Sequence, residues 1–407
     1  MSRRPVLALG LAEIVSLAGT RLSLVAIPWL VLTTTGDPLL TGVVGFAEML
    51  PYVVVKALSG PLIDRLGARR IAIAGDAASM LVVALVPLLH AADLLAIATL
   101  LPVVVLLGAL RGPADAAKQA MVPAVAVAAG LPLERVTGVM GTVERLASAI
   151  GLGLAGGIVA AVGAAPALGV TALAFGLSAL VVLRGLRQVG IATAGPAAGG
   201  YLHSLREGWT WLRGDTVLVC IAGMIAVTNL FDQAYATVLL PVWANRTSDA
   251  ALLGLLLALT SACAVAGAAL ATLLAGRLPR LIVYTVAFLV TGAPRFFVFA
   301  VDTPLAATVV VLATAGFASG FLNPLISAVM FERIPPALVG RVTALMNAVC
   351  WTLMPLGGLA GGALIAAFGL PAAFAIAGCG YLAATMLPLA VPGFRGFAMR
   401  REGLTAT

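Results

Sequence analysis

Gly60-Pro61-Leu62-Ile63-Asp64-Arg65-Leu66-Gly67-Ala68-Arg69-Arg70 sets four charges and two glycines at the junction of two apolar runs, roughly 39–63 and 71–90. Each run is long enough to cross a bilayer, which takes about 20 mostly apolar residues. A short basic turn between two such runs is how a membrane chain marks its cytoplasmic side. Cutting outward from this turn at charges and Gly/Pro clusters gives twelve spans, with edges uncertain by about 2–4 residues. They are roughly 6–33, 39–63, 71–90, 94–112, 134–163, 164–184, 216–243, 251–275, 281–300, 305–328, 338–368 and 370–390.

Composition excludes the soluble alternatives. The 407 residues are 62% hydrophobic and 10% charged, against about 25% charge in an ordinary soluble domain. Mean hydropathy is +1.12. A net charge of +8 could suggest nucleic acid, but a nucleic-acid binder concentrates its basic residues on one face. Here they sit in small clusters between apolar runs, so no nucleic-acid partner is expected. Cys220, Cys263, Cys350 and Cys379 have no CxxC spacing and read as small buried hydrophobes. The run after Arg3-Arg4 continues to about Leu32 and reads as a retained first span rather than a cleaved signal.

Basic residues also give an orientation. Nineteen of the 24 fall on one side, from Arg3 and Arg4 through Arg65, Arg69, Arg70, Arg111 and Lys118 to Arg400 and Arg401. The opposite loops carry Arg246 alone. An all-α membrane protein with both termini in the bacterial cytoplasm is expected. Residues 1–184 form a first six-helix bundle and 216–407 a second. Between them, 185–215 reads as a linker with Gly195-Pro196, then an amphipathic helix bearing Trp209 and Trp211 at the membrane surface.

The two halves repeat each other. Ala26-Ile27-Pro28-Trp29 recurs as Leu239-Leu240-Pro241-Val242-Trp243, and Arg135–Gly163 aligns without gaps to Arg341–Gly369 with ten of 29 positions identical. A six-plus-six parallel repeat is the architecture of a transporter whose halves rock around a central site.

The turn at 60–70 matches GxxxDRxGxRR, and on it the chain resembles the major facilitator superfamily. By that resemblance Asp64 faces the N-terminus of span 11, and Arg65 or Arg69 meets an acid at the foot of span 4, where Arg111 and Asp115 stand at i,i+4 spacing. Gly60 would let span 2 approach a neighbour closely. Gly60, Asp64, Arg65, Gly67, Arg69, Arg70, Arg111 and Asp115 form a cytoplasmic gate in this reading. Ser16-Leu17-Ala18-Gly19-Thr20, Ala26-Ile27-Pro28-Trp29, Arg111-Gly112-Pro113-Ala114-Asp115 and Gly340-Arg341-Val342 resemble bacterial drug:proton antiporters of the macrolide-efflux and tetracycline/aminoglycoside-efflux kind. Two departures stand out: Thr20 replaces an acid common there, and Gly151-Leu152-Gly153-Leu154-Ala155-Gly156 lacks the proline of the antiporter signature. The same stretch matches the dinucleotide pattern GxGxxG, yet no strand precedes it, and small residues spaced for helix packing account for it.

Charges inside spans mark functional candidates. Glu13 and Lys56 lie ~10 Å deep, Glu144 ~15 Å, and Arg21, Glu48 and Asp232 ~22–24 Å. Arg145 adjoins Glu144, while Asn229 and Gln233 flank Asp232. Glu13–Lys56 and Arg21–Glu48 can be static pairs, or one carboxylate can exchange a proton. Arg21 has a second candidate acid in Asp232, giving a switching pair with Asp232 as leading proton carrier. Arg295 reads as snorkelling to headgroups. An apolar, aromatic cavity suits a lipophilic or amphiphilic solute. Proton-driven drug efflux by a monomer is the expected function, with a proton gradient as energy source and no cofactor or metal. Metabolite uptake or uniport is the alternative. No catalytic constellation points to an enzyme.

Overall fold

The computed structural model describes residues 3–187, 189, 201–246, 249–274, 277–301, 303–335 and 338–397; Gly195-Pro196 lies outside them. The described residues form helices and turns with no strand. Inside a bilayer every backbone N–H and C=O needs an internal partner, which the helix supplies along its own length.

Among the described residues, eleven helical stretches are long and apolar enough to cross a membrane. Spans 1 to 3 are Arg4–Thr35, Pro38–Leu58 and Ala68–Ala91; spans 4 to 6 are Ile97–Ala129, Arg135–Val162 and Ala164–Gly185. Spans 7 to 10 are Thr216–Asn245, Ala250–Leu273, Arg280–Ala300 and Leu305–Met330. The last stretch, Arg341–Ala390, is 50 residues long, about 75 Å of helix and twice what a bilayer needs. It breaks at Gly369, where φ is 77° and ψ 167°. The positive φ is cheap only for glycine, so the stretch makes two crossings and the count is twelve.

Local chemistry explains the ends. Asp37 Oδ1 accepts from Leu39 N at 2.7 Å and opens span 2 behind Pro38. Asp215 Oδ1 accepts from Val217 N and Leu218 N at 3.0 and 3.1 Å and opens span 7. The Arg333 Nε donates to the same carboxylate at 2.9 Å. A carboxylate at a helix N-terminus satisfies orphan donors and opposes the positive end of the helix dipole.

Two sequence expectations need correction. The gate motif does not extend span 2: Gly60–Leu66 is a separate short helix, turned toward span 3 at Gly67 (φ 87°). Span 4 does not end near residue 112 but continues through Arg111, Asp115 and Lys118. Asp115 and Lys118 lie beyond the end expected for that span. Arg111 pairs with Asp115 and with Asp76 of span 3, and Lys118 with Asp76, which removes the main penalty on continuing the helix.

Contacts group the chain into two compact units, Met1–Pro196 with Ala236–Ala258, and Ala197–Tyr235 with Leu259–Thr407. In the first, span 1 packs on spans 5 and 6, span 2 on span 4, and span 3 on spans 4 and 6. The stretch Ala236–Ala258 joins this unit, with Gly254 crossing Gly156 of span 5. In the second, span 7 packs on the final helical stretch and span 9 on span 10. The helix Tyr201–Leu212 also belongs there: Glu207 accepts from Arg341 at 2.5 Å, and Gly208 lies against Leu345. Large apolar side chains such as Leu81, Leu88, Leu173 and Leu387 face outward, as lipid contact requires.

The repeat survives in helix packing. Gly108 and Gly112 bring span 4 against the span 2 backbone at Glu48, Tyr52 and Lys56. Gly316 and Gly320 bring span 10 against span 8 at the equivalent Thr260, Ala264 and Ala268. Small residues permit such approaches between membrane helices, where packing drives association. The charges are not repeated with the glycines.

Candidate functional site

The first unit carries a buried charge network on spans 1, 3, 4 and 6. Asp76, in span 3, is fully buried. It accepts from Arg111 Nη1 at 2.6 Å, Lys118 Nζ at 2.8 Å and Ser178 Oγ at 2.6 Å. Arg111 also pairs with Asp115 one turn on, donates to Ser16 Oγ at 2.9 Å, and sits 4.4 Å from the Phe175 ring centroid. Lys118 Nζ donates to Ser16 Oγ at 2.6 Å. From span 2, Lys56 Nζ donates to Tyr52 Oη at 3.1 Å, and Tyr52 Oη donates to Asp115 Oδ2 at 3.2 Å. Two carboxylates and two cations are thus balanced at the core, with a donor chain leading out along span 2.

The sequence-nominated residues are distributed around this network. Glu13 is half-buried one turn before Ser16, and Glu48 is half-buried on span 2. Among the described residues no ion pair joins Glu13 to Lys56 or Arg21 to Glu48. Instead, Arg21 Nε donates to Ser148 Oγ at 3.1 Å. Glu144 is exposed and Arg145 half-buried. In the gate motif, Asp64, Arg65 and Arg70 are exposed. Arg69 meets no acid of span 4; its Nη2 donates to the Leu183 carbonyl of span 6 at 2.6 Å. Gly60 has open space where a Cβ would go, so it mediates no close approach.

Among the described residues, the second unit holds one ion pair with both partners inside membrane spans. Asp232 of span 7 is bridged to Arg295 of span 9, so Arg295 does not snorkel. Its guanidinium lies 4.8, 4.9 and 5.4 Å from the ring centroids of Tyr381, Phe296 and Tyr235. Asn229 Nδ2 donates to the Cys350 carbonyl at 2.9 Å, and Gln233 is buried against Gly357. The expectation that Arg21 holds Asp232 is replaced by Arg295 on Asp232 and Ser148 on Arg21.

The Major Facilitator Superfamily pattern matches residues 9–356 and, again, 222–396. The chain belongs to that family. It is 30% identical to the multidrug efflux pump Tap of Mycobacterium tuberculosis (strain ATCC 25618 / H37Rv), over 97% of this chain and 95% of that protein. With the multidrug efflux pump Tap of Mycolicibacterium fortuitum it shares 31% identity over 91% of this chain and 92% of that one. Among solved structures, the nucleoside transporter NupG superposes with a TM-score of 0.75 at 14% identity, covering 96% of this chain and 99% of that one. A bacterial homologue of the human lysosomal transporter Spinster gives 0.71 at 12%, covering 99% and 100%. At such identities the structures speak for the fold alone.

Sequence reasoning missed Asp76, Lys118, Tyr52, Ser16, Ser178 and Arg295 as site members. Asp76 had a signal, a carboxylate inside an apolar run. Arg295 had one too: it lies about as many residues into span 9 as Asp232 does into span 7, at a matching depth of roughly 23 Å. The two serines carried none, because hydroxyls are ordinary in helix contacts.

Proposed function

We propose that this protein exports lipophilic or amphiphilic drugs across a bacterial cytoplasmic membrane in exchange for protons, acting as a monomer with both termini in the cytoplasm. The observation that carries the reading is identity with the Tap multidrug efflux pumps over nearly the whole chain. The charge network in the first unit supports the coupling. Asp76 is buried under two cations and a hydroxyl. Asp115 is 15% exposed and shares Arg111 with it, while Glu13 faces the same cluster from span 1. Protonation of Asp115 or Glu13 frees part of the Arg111–Ser16–Lys118 lattice that ties spans 1 and 4, and a proton thereby shifts the balance between two arrangements of the helices. The equivalents of Glu48, Tyr52, Lys56, Arg111 and Asp115 in the other half are Thr260, Ala264, Ala268, Ser319 and Asn323, so proton handling concentrates in the first bundle.

Everted membrane vesicles acidified inside by respiration test this. Adding an exported drug to vesicles bearing the protein should partly collapse the pH gradient, read as recovery of acridine-orange fluorescence. Glu13→Gln with Asp115→Asn should abolish the recovery. Equal recovery from vesicles lacking the protein would refute antiport. The gate gives a smaller effect. If Asp64 stabilises the cytoplasm-closed arrangement at a helix N-terminus, Asp64→Asn forfeits about 0.3–1 kcal/mol. The two-state balance then moves roughly twofold to fivefold, and export should fall by that factor at unchanged protein level. Wild-type export by this variant would remove Asp64 from the gate.

A further inference from the structure

The lipid-facing surface of the second unit is notched. Between spans 9 and 10, both inside that unit, a cleft of about 570 Å³ opens to the outside of the protein. Side-chain size makes it. Span 10 presses Gly316 and Gly320 onto span 8, and toward span 9 it presents Ala313, Thr314 and Ala318. Ala287 of span 9, 5% exposed, closes the floor. The rims are large: Ile282 and Val286 are 60% and 53% exposed on one side, and on the other Phe317 and Phe321 meet edge to face with centroids 5.6 Å apart. Ile282, Val286 and Val290 stand one turn apart and carry the cleft ~12 Å along span 9, and Leu278 extends it past the start of that span. It stops at Val290 because span 9 breaks just beyond, at Gly292 (ψ −102°). The cleft is about as long as one leaflet of hydrocarbon is thick, ~15 Å.

Chemistry then limits the occupant. Thr314 is the one polar residue on the walls, and its hydroxyl is turned onto the Val310 and Val311 carbonyls of its own helix, both at 2.9 Å. A solute with a polar group would bury that group here without a hydrogen bond. A hydrocarbon chain gives up nothing, since lipid tails are as apolar as the walls, and it gains close packing in the notch.

The mouth of the cleft is positive. Arg280 is held by Glu332 through both carboxylate oxygens at 2.6 and 2.7 Å, and Arg333 by Asp215 at 2.9 Å. Arg277, next to Leu278, is exposed and its side chain has no partner among the described residues. One positive charge is left over. Span 9 also begins at Arg280 with no side chain capping its first N–H groups, because Pro279 stands at the capping position. Uncapped N–H groups at a helix start, with an arginine beside them, suit a phosphate.

From this geometry we infer that the cleft holds one anionic phospholipid, its phosphate at Arg277 and the start of span 9, one acyl chain between Ile282, Val286 and Phe317. With the termini in the cytoplasm, as proposed, the lipid belongs to the inner leaflet. The site shares no residue with the charge network of the first unit, and its occupancy is read without transport, so it and drug export can fail separately.

Photolabelling tests it. Phosphatidylglycerol and phosphatidylcholine carrying the same diazirine-bearing acyl chain are each added at trace level to phosphatidylcholine nanodiscs of the purified protein. After irradiation the labelled peptides are mapped. Phosphatidylglycerol should label 278–290 and 313–321 roughly fivefold more than phosphatidylcholine does, the effect of one basic residue at a headgroup. At Leu81 and Leu173, exposed on spans 3 and 6, the two probes should label equally. Arg277→Gln should bring the cleft to the same equality. Ala318→Leu, which fills the notch, should cut labelling by both probes severalfold. Should Ala318→Leu not fold, the Arg277→Gln result decides alone. Equal labelling of the wild-type cleft by the two probes would overturn the assignment. Displacement of the label by rhodamine 6G would overturn it too, and would make the cleft a solute site.

Discussion

Asp76→Ala is expected to destabilise the protein by about 3–5 kcal/mol, the largest single-residue effect in the first bundle. The change leaves Lys118 buried without the carboxylate it is bridged to and Arg111 with Asp115, and an uncompensated buried ion costs that much. The carboxylate has no water to be replaced by, since Asp76 is fully buried and Arg111 and Lys118 are 3% and 1% exposed. Lys118→Met on the same background removes the surplus cation and keeps a similar stem in place, so the double variant should regain most of the loss. The measurement is the temperature of half-inactivation of detergent-purified protein, followed by loss of monodisperse material. A single variant as heat-resistant as wild type would show that the network contributes nothing to holding spans 1, 3, 4 and 6 together.

That network also shows where sequence reasoning stopped. Twelve spans were legible because each apolar run outlasts a bilayer, and the repeat because Arg135–Gly163 and Arg341–Gly369 stay in register. The end of span 4 was not. Asp115 and Lys118 look like a loop when each charge is weighed alone, and only the pairing with Arg111 and Asp76 makes them cheap inside a helix. The same blindness assigned Arg295 to the headgroups, since a lone arginine near a helix end reads as snorkelling until its carboxylate is seen. Depth along a span was computable for both partners of Asp232–Arg295; which faces of spans 7 and 9 meet was not, because it depends on the π-helical turn at Tyr235–Leu239 and the break at Gly292. Gly60 failed for the opposite reason. A glycine in a motif suggests close packing, yet in this chain it opens a short helix in free space.

Gly156→Val is expected to suppress export strongly while sparing the fold. An added Cβ at Gly156 would lie 2.5 Å from the Ala250 carbonyl, 2.7 Å from Gly254 Cα and 2.8 Å from Gly254 N. All three are backbone atoms, so no side-chain rotation relieves the contact and the crossing itself must open. Overpacking of this kind costs about 1–3 kcal/mol, which moves a two-state balance by roughly fivefold to more than a hundredfold. If export alternates between arrangements with this crossing closed and open, the variant is confined to the open one and turnover falls by a comparable factor. The neighbouring residue supplies the control: Gly157 has nothing within 4 Å of its added Cβ, so Gly157→Val should export normally with the same change in composition and hydrophobicity. Drug accumulation in expressing cells gives the turnover, and the alkylation rate of a cysteine placed at Ala250 in a cysteine-free background reads the crossing directly. Slow alkylation in the otherwise wild-type protein, fast in Gly156→Val and slow in Gly157→Val is the expected order. Equal rates in all three would mean that this glycine pair does not gate access, and a Gly156→Val pump of normal activity would mean that export never requires the crossing to close.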